Sequence, residues 1–308
     1  MPFVRQGRSF VVTIVASLLL GCTGSEDIAP AEQTPGTPQQ DSAELIAFVS
    51  DREGPDALFV MRPDGSGVRR LTQDLPAVLH PSWSADGQRI AFNAGSPTDS
   101  DIYLINVDGS GLTKITGNAN ANFYPTWSPD GSRLAFSSNR DGDWDIFVMN
   151  SDGSRVRQLV DSPGLDDKPQ WSPDGLRIGF ATTRNGSPEL LAVDPETGEE
   201  GTLFPQNVGG LNPAWSIDGS RVAFNVVTSS GFDIDVMSAL GDDRRSVVAG
   251  AASEERPRWS PDGELLTYYS DAGGSWDVYT VIVATGETRS LTDNPGFDGQ
   301  PAWRPTPH

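Results

Sequence analysis

The sequence predicts an all-β fold, a six-bladed β-propeller made of 44-residue, four-stranded repeats. Tryptophans recur every 44 residues without insertion or deletion, at Trp83, Trp127, Trp171, Trp215, Trp259 and Trp303. Each repeat holds four short strand-like segments separated by Gly-containing turns, and a four-stranded repeat of about 40 to 45 residues is typical of propeller blades. The 33 Gly and 24 Pro of the 308 residues fit a fold with many tight turns.

The first strand of each repeat carries the tryptophan, and a tight turn follows it. Five copies read Pro-x-Trp-Ser-x-Asp-Gly, as in YPTWSPDG at 124–131, and the sixth, QPAWRPTP at 300–307, keeps only the proline and the tryptophan. An aspartate in a turn accepts hydrogen bonds from nearby backbone N–H groups, and glycine supplies a positive φ. We therefore interpret five aspartates as turn residues and not as catalytic groups: Asp86, Asp130, Asp174, Asp218 and Asp262.

The second and third strands of each repeat are apolar on both faces. In the third strand at 102–105, Ile102 and Leu104 point to one side of the sheet, and Tyr103 and Ile105 to the other. A sheet buried on both faces needs a neighbour on each side, as a propeller blade has. A fourth segment, which ends in Leu-Thr or an equivalent pair, completes the repeat.

The two ends of the repeat region predict how the ring closes. Counting back 44 residues from Trp83 reaches Gln39, so the first repeat lacks a tryptophan strand and begins at Leu45. The last repeat consists of that strand alone and stops at Trp303. We expect the segment 301–303 to become the innermost strand of the blade formed by residues 45–72, because such closure removes exposed sheet edges.

The N-terminal residues have the pattern of a bacterial export signal. Arg5 and Arg8 precede a mostly apolar run of eleven residues at 10–20, which is shorter than the roughly 20 residues needed to span a bilayer. The run ends in Leu-Leu-Gly-Cys at 19–22, which resembles the lipobox of bacterial lipoproteins. The resemblance implies cleavage before Cys22 and lipid modification of that cysteine. Several acyl chains would anchor the protein stably.

These signals divide the chain into three expected parts. Residues 1–21 are the signal peptide, residues 22–44 are the lipidated cysteine and a disordered tether rich in Pro, Gln, Thr and Ser, and residues 45–308 are the propeller. We expect an exported protein that touches the membrane only through its lipid. Thr23 follows the cysteine, and not the aspartate that enterobacterial sorting reads as inner-membrane retention. In an organism with two membranes, the resemblance to lipoproteins therefore implies the periplasmic face of the outer membrane.

Composition excludes several classes of function. A net charge of −20 without a basic stripe argues against a nucleic-acid partner. His80 is the only histidine inside the repeats, and no Gly-x-Ser-x-Gly motif is present. Asp141, Asp143 and Asp145 alternate, but the glycine and glutamate of an EF-hand are missing around them. We expect no enzyme, no cofactor and no metal, with a carboxylate-based glycosidase as the least favoured alternative.

The residue before each repeated proline is the candidate binding position. It differs in all six copies although its neighbours repeat, and every one of the six side chains can donate hydrogen bonds. We expect the six to precede the inner strands and to ring one mouth of the central channel, a common ligand site. The alternative is a solvated loop end without a function. The six residues are His80, Tyr124, Lys168, Asn212, Arg256 and Gln300.

The repeats resemble the PD40 repeat of the TolB propeller family, IAFxSxRDGxxDIYVMxxDGSGxxxLT…PxWSPDG, over residues 45–303. The resemblance implies a monomeric, protein-binding scaffold in the cell envelope, since TolB acts in the periplasm with the peptidoglycan-associated lipoprotein and the Tol machinery. The expected partner is an envelope protein or peptide, such as a protein similar to the peptidoglycan-associated lipoprotein. The N-terminal α/β domain and TolA-contacting segment of TolB have no counterpart here.

A carbohydrate- or cell-wall-binding module is the alternative to protein binding. Phe123, Tyr124 and Phe297 lie near the predicted channel and are side chains that can stack on sugar rings.

Overall fold

A computed structural model describes residues 44–117, 120–204 and 209–306. They form 24 β-strands in six four-stranded sheets, which is the six-bladed, all-β propeller that the repeats predict. None of the described residues belongs to a helix that is long and apolar enough to cross a membrane. The predicted signal peptide, Cys22 and the tether up to residue 43 lie outside the described residues.

The innermost and second strands of each blade surround the channel. The innermost strands, which carry the repeated tryptophans, are β4 (Val78–Trp83), β8 (Asn122–Trp127), β12 (Asp166–Trp171), β16 (Leu211–Trp215), β20 (Glu254–Trp259) and β24 (Asp298–Trp303). The second strands are β1 (Ile46–Ser50), β5 (Arg89–Ser96), β9 (Arg133–Ser138), β13 (Ile178–Thr182), β17 (Arg221–Val227) and β21 (Leu265–Ser270).

The third and fourth strands complete each blade toward the outside. The third strands are β2 (Ala57–Met61), β6 (Asp99–Asn106), β10 (Asp145–Asn150), β14 (Glu189–Val193), β18 (Phe232–Ser238) and β22 (Asp277–Ile282). The fourth strands are β3 (Arg69–Arg70), β7 (Thr113–Lys114), β11 (Arg157–Gln158), β15 (Glu200–Thr202), β19 (Arg245–Val248) and β23 (Thr288–Ser290). Blade 1 contains β24 and β1–β3, and blades 2 to 6 follow in chain order, from β4–β7 to β20–β23.

Five of the six fourth strands are shorter than the repeat pattern suggests, because they end before the Leu-Thr pair or its equivalent, whereas β19 includes Val247 and Val248. In blade 1 the backbone N–H of Leu71 still donates to the carbonyl of Leu58 at 2.8 Å. The next residue, Thr72, uses its hydroxyl instead and accepts the N–H of Leu58 at 2.9 Å. The Thr72 hydroxyl thus takes the place of a backbone carbonyl as the acceptor for Leu58, so the backbone ladder ends although Leu71 is buried.

Blade 1 confirms the predicted closure of the ring. Strand β24, from the C-terminal end of the chain, pairs antiparallel with β1, and Trp303 lies opposite Ile46. The N–H of Arg304 extends this contact by donating to the carbonyl of Leu45 at 2.8 Å. The first and last repeats are therefore held together as one sheet.

The core lies between neighbouring blades and is divided into six clusters, each with one repeated tryptophan. Strand β6 shows how a blade serves two clusters. Ile102 and Leu104 pack with Trp127 on one face, while Ile105 and Tyr103 pack with the Trp83 cluster on the other. Both faces of a central strand are thus covered, as the apolar pattern predicts.

Arginines from the preceding blade cover several of the tryptophan rings. The Arg89 guanidinium lies 4.8 Å from the ring centroid of Trp127, and Arg221 lies 4.3 Å from that of Trp259. The Trp83 ring is covered by Arg304, whose guanidinium lies 5.8 Å from the ring centroid. Arg304 Nε also donates to the carbonyl of Gly87 at 2.9 Å. The C-terminal segment therefore contacts blade 2 as well as completing blade 1.

The Ser-x-Asp-Gly segments form the predicted turns. In blade 3 the Ser128 hydroxyl donates to Asp130 Oδ1 at 2.6 Å and accepts the N–H of Arg133 at 2.9 Å. The same carboxylate accepts the N–H of Ser132 at 3.0 Å. In each of the five turns, the aspartate carboxylate accepts hydrogen bonds from a serine hydroxyl and a backbone N–H of the same turn, which supports a structural role for all five aspartates.

Candidate ligand cavity in the central channel

The six candidate residues lie inside the innermost strands, as the second or third residue of each. The expectation that they precede these strands is therefore wrong. In β8 the pairing with β9 joins Phe123 to Ser137 and then Thr126 to Ala135, so Tyr124 and Pro125 together face a single residue. The same register shift occurs in all six blades. Each candidate residue is the bulged residue of its strand.

The bulge places six non-glycine residues in the left-handed region of backbone conformation. Their φ values lie between 54° and 59°. This conformation costs an ordinary L-residue about 1 kcal/mol, and glycine would adopt it without that cost. The strained position nevertheless carries a polar or aromatic side chain in every blade: His80, Tyr124, Lys168, Asn212, Arg256 and Gln300.

Tyr124 is the centre of a layer of side chains across the channel. It belongs to blade 3, and the guanidinium carbon of Arg256, from the opposite blade 6, lies 4.9 Å from its ring centroid. The His80 ring lies 4.0 Å from the Tyr124 ring, and Lys168 Nζ lies 5.7 Å from it. The backbone N–H of His80 also donates to Gln300 Oε1 at 2.6 Å. We call the layer formed by these five residues and Asn212 the channel floor.

Two buried asparagines of the second strands fix the floor. Asn93 Oδ1 lies 2.7 Å from His80 Nδ1. Asn225 Oδ1 accepts the side-chain N–H of Asn212 and the backbone N–H of Arg256, both at 2.9 Å. Sequence reasoning missed these residues, although an asparagine inside an apolar second strand, as in IAFNA and VAFNV, is a signal that could have found them.

A cavity of about 320 Å³ lies on the tryptophan side of the floor. Its wall includes the residue before each tryptophan: Ser82, Thr126, Gln170, Ala214, Arg258 and Ala302. The second residue after each tryptophan, just beyond the end of each innermost strand, also lines the cavity, and we call these six residues the rim. The position is apolar in all six copies: Ala85, Pro129, Pro173, Ile217, Pro261 and Pro305. Five floor residues line the cavity, and Gln300 is the one that does not.

The cavity is positively charged, although the chain carries 42 acidic and 22 basic residues. Lys168, Arg256 and Arg258 line it, and no described aspartate or glutamate does. Lys168 Nζ lies 3.3 Å from Asp167. No described carboxylate is within ion-pair distance of the other two cations. Within the part of the chain that the structure describes, the Arg258 guanidinium donates only to the carbonyl of Pro257, at 2.9 Å.

Burial and repulsion between positive charges lower the pKa of two basic groups in the cavity, Arg258 and His80. Burial, with the charge of Arg256 beside it, lowers the pKa of Arg258 to about 9. Burial first, and then the charges of Arg256 and Lys168, hold the pKa of His80 well below its usual value. His80 is therefore neutral at pH 7, and the three basic side chains supply the positive charge.

The other side of the floor holds a different set of groups. Phe123 stacks on Trp144 with ring centroids 5.2 Å apart, and the Tyr269 hydroxyl donates to Glu255 at 2.7 Å. Phe297 lies edge-on to Tyr269 at 5.8 Å. The rings form two separate pairs, Phe123 with Trp144 and Tyr269 with Phe297, and none of the four lines the cavity.

Acidic residues outside the cavity form no metal centre among the described residues, since no group of three or more potential ligands is close enough together. Asp145, the last of the alternating aspartates, begins β10 and accepts a hydrogen bond from Gln158 Nε2 at 2.9 Å. Burial, with a contribution from Asp143, raises its pKa to about 6. Burial and then the charges of Asp233 and Asp271 raise the pKa of Glu254 to about 7.

Comparison with known proteins identifies the repeats. The family described as "TolB beta propeller domain", PD40, matches residues 43–306. TolB from Acinetobacter baumannii shares 22% identity over 86% of this chain and 67% of its own, with a TM-score of 0.74. A putative TolB from Agrobacterium tumefaciens shares 22% identity over 84% of this chain and 91% of its own, with a TM-score of 0.66.

The fold also occurs outside TolB. A chain of a nidogen/laminin complex superposes with a TM-score of 0.70 at 11% identity, covering 86% of this chain and all of its own. No curated protein matches the chain. The structural likenesses show the fold, and the family match covers nearly all the described residues. This chain therefore belongs to the TolB β-propeller family, PD40.

Proposed function

We propose that this chain is a cell-envelope protein whose propeller binds another envelope protein or a peptide and serves as a scaffold. The channel floor carries the proposal. Six unlike side chains that can donate hydrogen bonds occupy one strained backbone position, where glycine would satisfy the fold at no steric cost. Retaining a side chain there in all six blades favours a role in recognition.

The composition of the floor fits a protein or peptide partner. Tyrosine and arginine are enriched at the energetic centres of protein interfaces, and here Tyr124 and Arg256 meet on the channel axis. A similar propeller is part of the nidogen/laminin complex, so the fold occurs in assemblies of proteins. Membership of the TolB family favours a partner similar to the peptidoglycan-associated lipoprotein. Since no described carboxylate lines the cavity, we do not place a glycosidase there.

The N-terminal sequence supports the proposed location. Cleavage before Cys22 and lipidation of that residue would tether the propeller to the envelope, on the periplasmic face of the outer membrane where two membranes exist. Mass spectrometry of the protein from native membranes tests this. A mature N-terminus at an acylated Cys22 is expected, and Cys22→Ala should release the protein from the membrane fraction. An unmodified Cys22 would contradict the anchor.

A crosslinking pull-down from solubilised envelopes tests the binding function. The full chain is compared with a floor variant, Tyr124→Ser, Lys168→Ser and Arg256→Ser together. A control variant carries Arg155→Ser and Leu240→Ser, both exposed and distant from the channel. We expect a protein that the native and control chains capture and the floor variant loses. Equal capture by all three contradicts the proposal, and binding to a glycan array without protein capture favours the carbohydrate alternative.

A further inference from the structure

The cavity on the tryptophan side of the floor has the chemistry of an anion site. We propose that it binds a carboxylate group carried on an apolar body, with Arg256 and Arg258 as the counter-ions. This inference deepens the proposed binding function and rests on it, because it names the chemical group that the channel recognises.

The first argument is the unbalanced charge of the cavity. Arg256 is only 8% exposed, and neither it nor Arg258 pairs with a described carboxylate. A buried cation without a counter-ion is costly, and the cost falls when an anion binds beside it. Lys168 is paired with Asp167, so the excess positive charge of the cavity comes from Arg256 and Arg258, and it is complementary to an anionic ligand.

The second argument is the set of neutral donors that line the same cavity as the two arginines. A carboxylate presents two oxygens that accept several hydrogen bonds, and arginine can donate to both at once. Ser82, Thr126 and Gln170 line the cavity from blades 2, 3 and 4, and Arg258 lines it from blade 6. These groups can satisfy oxygens that the arginines leave free, so the wall can hold a carboxylate that is removed from water.

The third argument is the apolar rim. All six rim residues are alanine, proline or isoleucine, so this end of the cavity offers mainly apolar side chains, with hydroxyl groups from Ser128, Ser172, Ser260 and Thr306 in the lining beside them. The volume of about 320 Å³ is at the lower end of the range for small-ligand sites, which is about 300–1,000 Å³. The site therefore fits a short apolar segment that ends in a carboxylate. The C-terminus of a peptide and an aliphatic acid share this chemistry.

Titration of the full chain with three probes tests the inference. The probes are N-acetyl-Ala-Leu-Val with a free carboxylate, the same peptide as its C-terminal amide, and hexanoate. Tryptophan fluorescence reports binding, because the repeated tryptophans line the cavity. At low salt, we expect the free-acid peptide to bind at least about tenfold more tightly than the amide. Hexanoate binding of similar strength would identify a small acid as the ligand source, and binding of the peptide alone would identify a chain terminus.

Substitutions locate the site. Arg258→Gln and Arg256→Gln should each weaken binding of the free-acid probe about tenfold or more, while Arg258→Lys should restore part of it. Arg155→Gln removes an exposed charge far from the cavity and should leave the affinity unchanged. Thermal unfolding of each variant verifies that it folds, and Arg258→Lys keeps the test valid if Arg258→Gln does not fold.

Two results would overturn the inference. One is equal binding of the acid and amide peptides, and the other is no binding of any carboxylate probe by a folded chain. If envelope proteins are still captured in either case, only the carboxylate site fails and the binding function stands. If carboxylates bind but no protein is captured, the site stands and the protein-binding function fails.

Discussion

The guanidinium of Arg256 lies 4.9 Å from the ring centroid of Tyr124, and the two residues belong to blades on opposite sides of the channel. This contact spans the channel from blade 6 to blade 3. It depends on the bulge in each innermost strand, which carries Tyr124 and Arg256 at φ values of 57° and 54°. The candidate site is thus built from a repeated backbone distortion and not from inserted loops.

The strain at the floor predicts an unusual order of stability at Lys168. Glycine adopts its φ of 56° freely, whereas valine is β-branched and disfavours this region strongly. We expect the free energy of unfolding of Lys168→Gly to lie within about 1 kcal/mol of that of the native chain. Lys168→Val should be about 2 kcal/mol less stable than Lys168→Gly. Urea unfolding measures both, and a glycine variant less stable than the valine variant would contradict the prediction.

Ring closure predicts that the last tryptophan contributes as much to stability as the tryptophans of complete repeats. Trp303 is 8% exposed and Trp259 is 7% exposed, so each change to alanine should cost about 3–5 kcal/mol. Trp144, which is outside the repeated positions and half-buried, is the control and should cost less. Removal of residues 298–308 should open the ring. A truncated chain that stays folded and monomeric would refute this closure.

The raised pKa of Glu254 predicts a loss of stability with rising pH. Its carboxyl has a pKa of about 7 in the folded chain, against an ordinary value of 4.5. The folded chain therefore binds this proton more tightly than the unfolded chain does. Stability from this group is fully present below pH 4.5 and is lost as pH rises through 7. Glu254→Gln should therefore stabilise the protein by about 1–2 kcal/mol at pH 8 and leave it unchanged at pH 4.

Denaturant unfolding at the two pH values measures this difference. A stabilisation of the same size at pH 4 and pH 8 would show that the carboxylate charge is not its cause.

The turns predict the opposite dependence on pH. Hydrogen bonds from the Ser216 and Ser220 hydroxyls lower the pKa of Asp218 to about 2. Its contribution to stability is present above the unfolded pKa near 4 and is lost as pH falls through 2. Ser216→Ala should cost about 1 kcal/mol at pH 7, because Asp218 and the N–H of Arg221 lose their common partner. Thermal unfolding should show this cost shrinking toward pH 2, and a constant cost would contradict it.

Much of the fold could be predicted because the chain repeats its register without a gap. The spacing of Trp83 to Trp303 sets the number of blades, and the missing strand before Leu45 predicts the closure with β24. The alternation at 102–105 correctly assigns side chains to the two faces of β6.

The site was only partly predictable. The candidate residues stand out because they vary within a constant frame, yet their left-handed backbone could not be predicted, since a residue before proline is ordinarily extended. The bulge arises from pairing with the second strand, which one strand's sequence does not show. Arg258 was missed because the wall position mixes small and large residues, so nothing in its pattern distinguishes it.

Site-specific photocrosslinking tests most directly the claim that the channel binds a partner. A benzoylphenylalanine in place of Ile217 samples the rim, and one in place of Leu240, an exposed residue after β18, samples the outer surface. In native envelopes, we predict a discrete crosslinked protein from position 217 alone, lost when Tyr124, Lys168 and Arg256 are changed to serine. Equal crosslinking from both positions, or a rim crosslink that survives the triple change, would contradict the account.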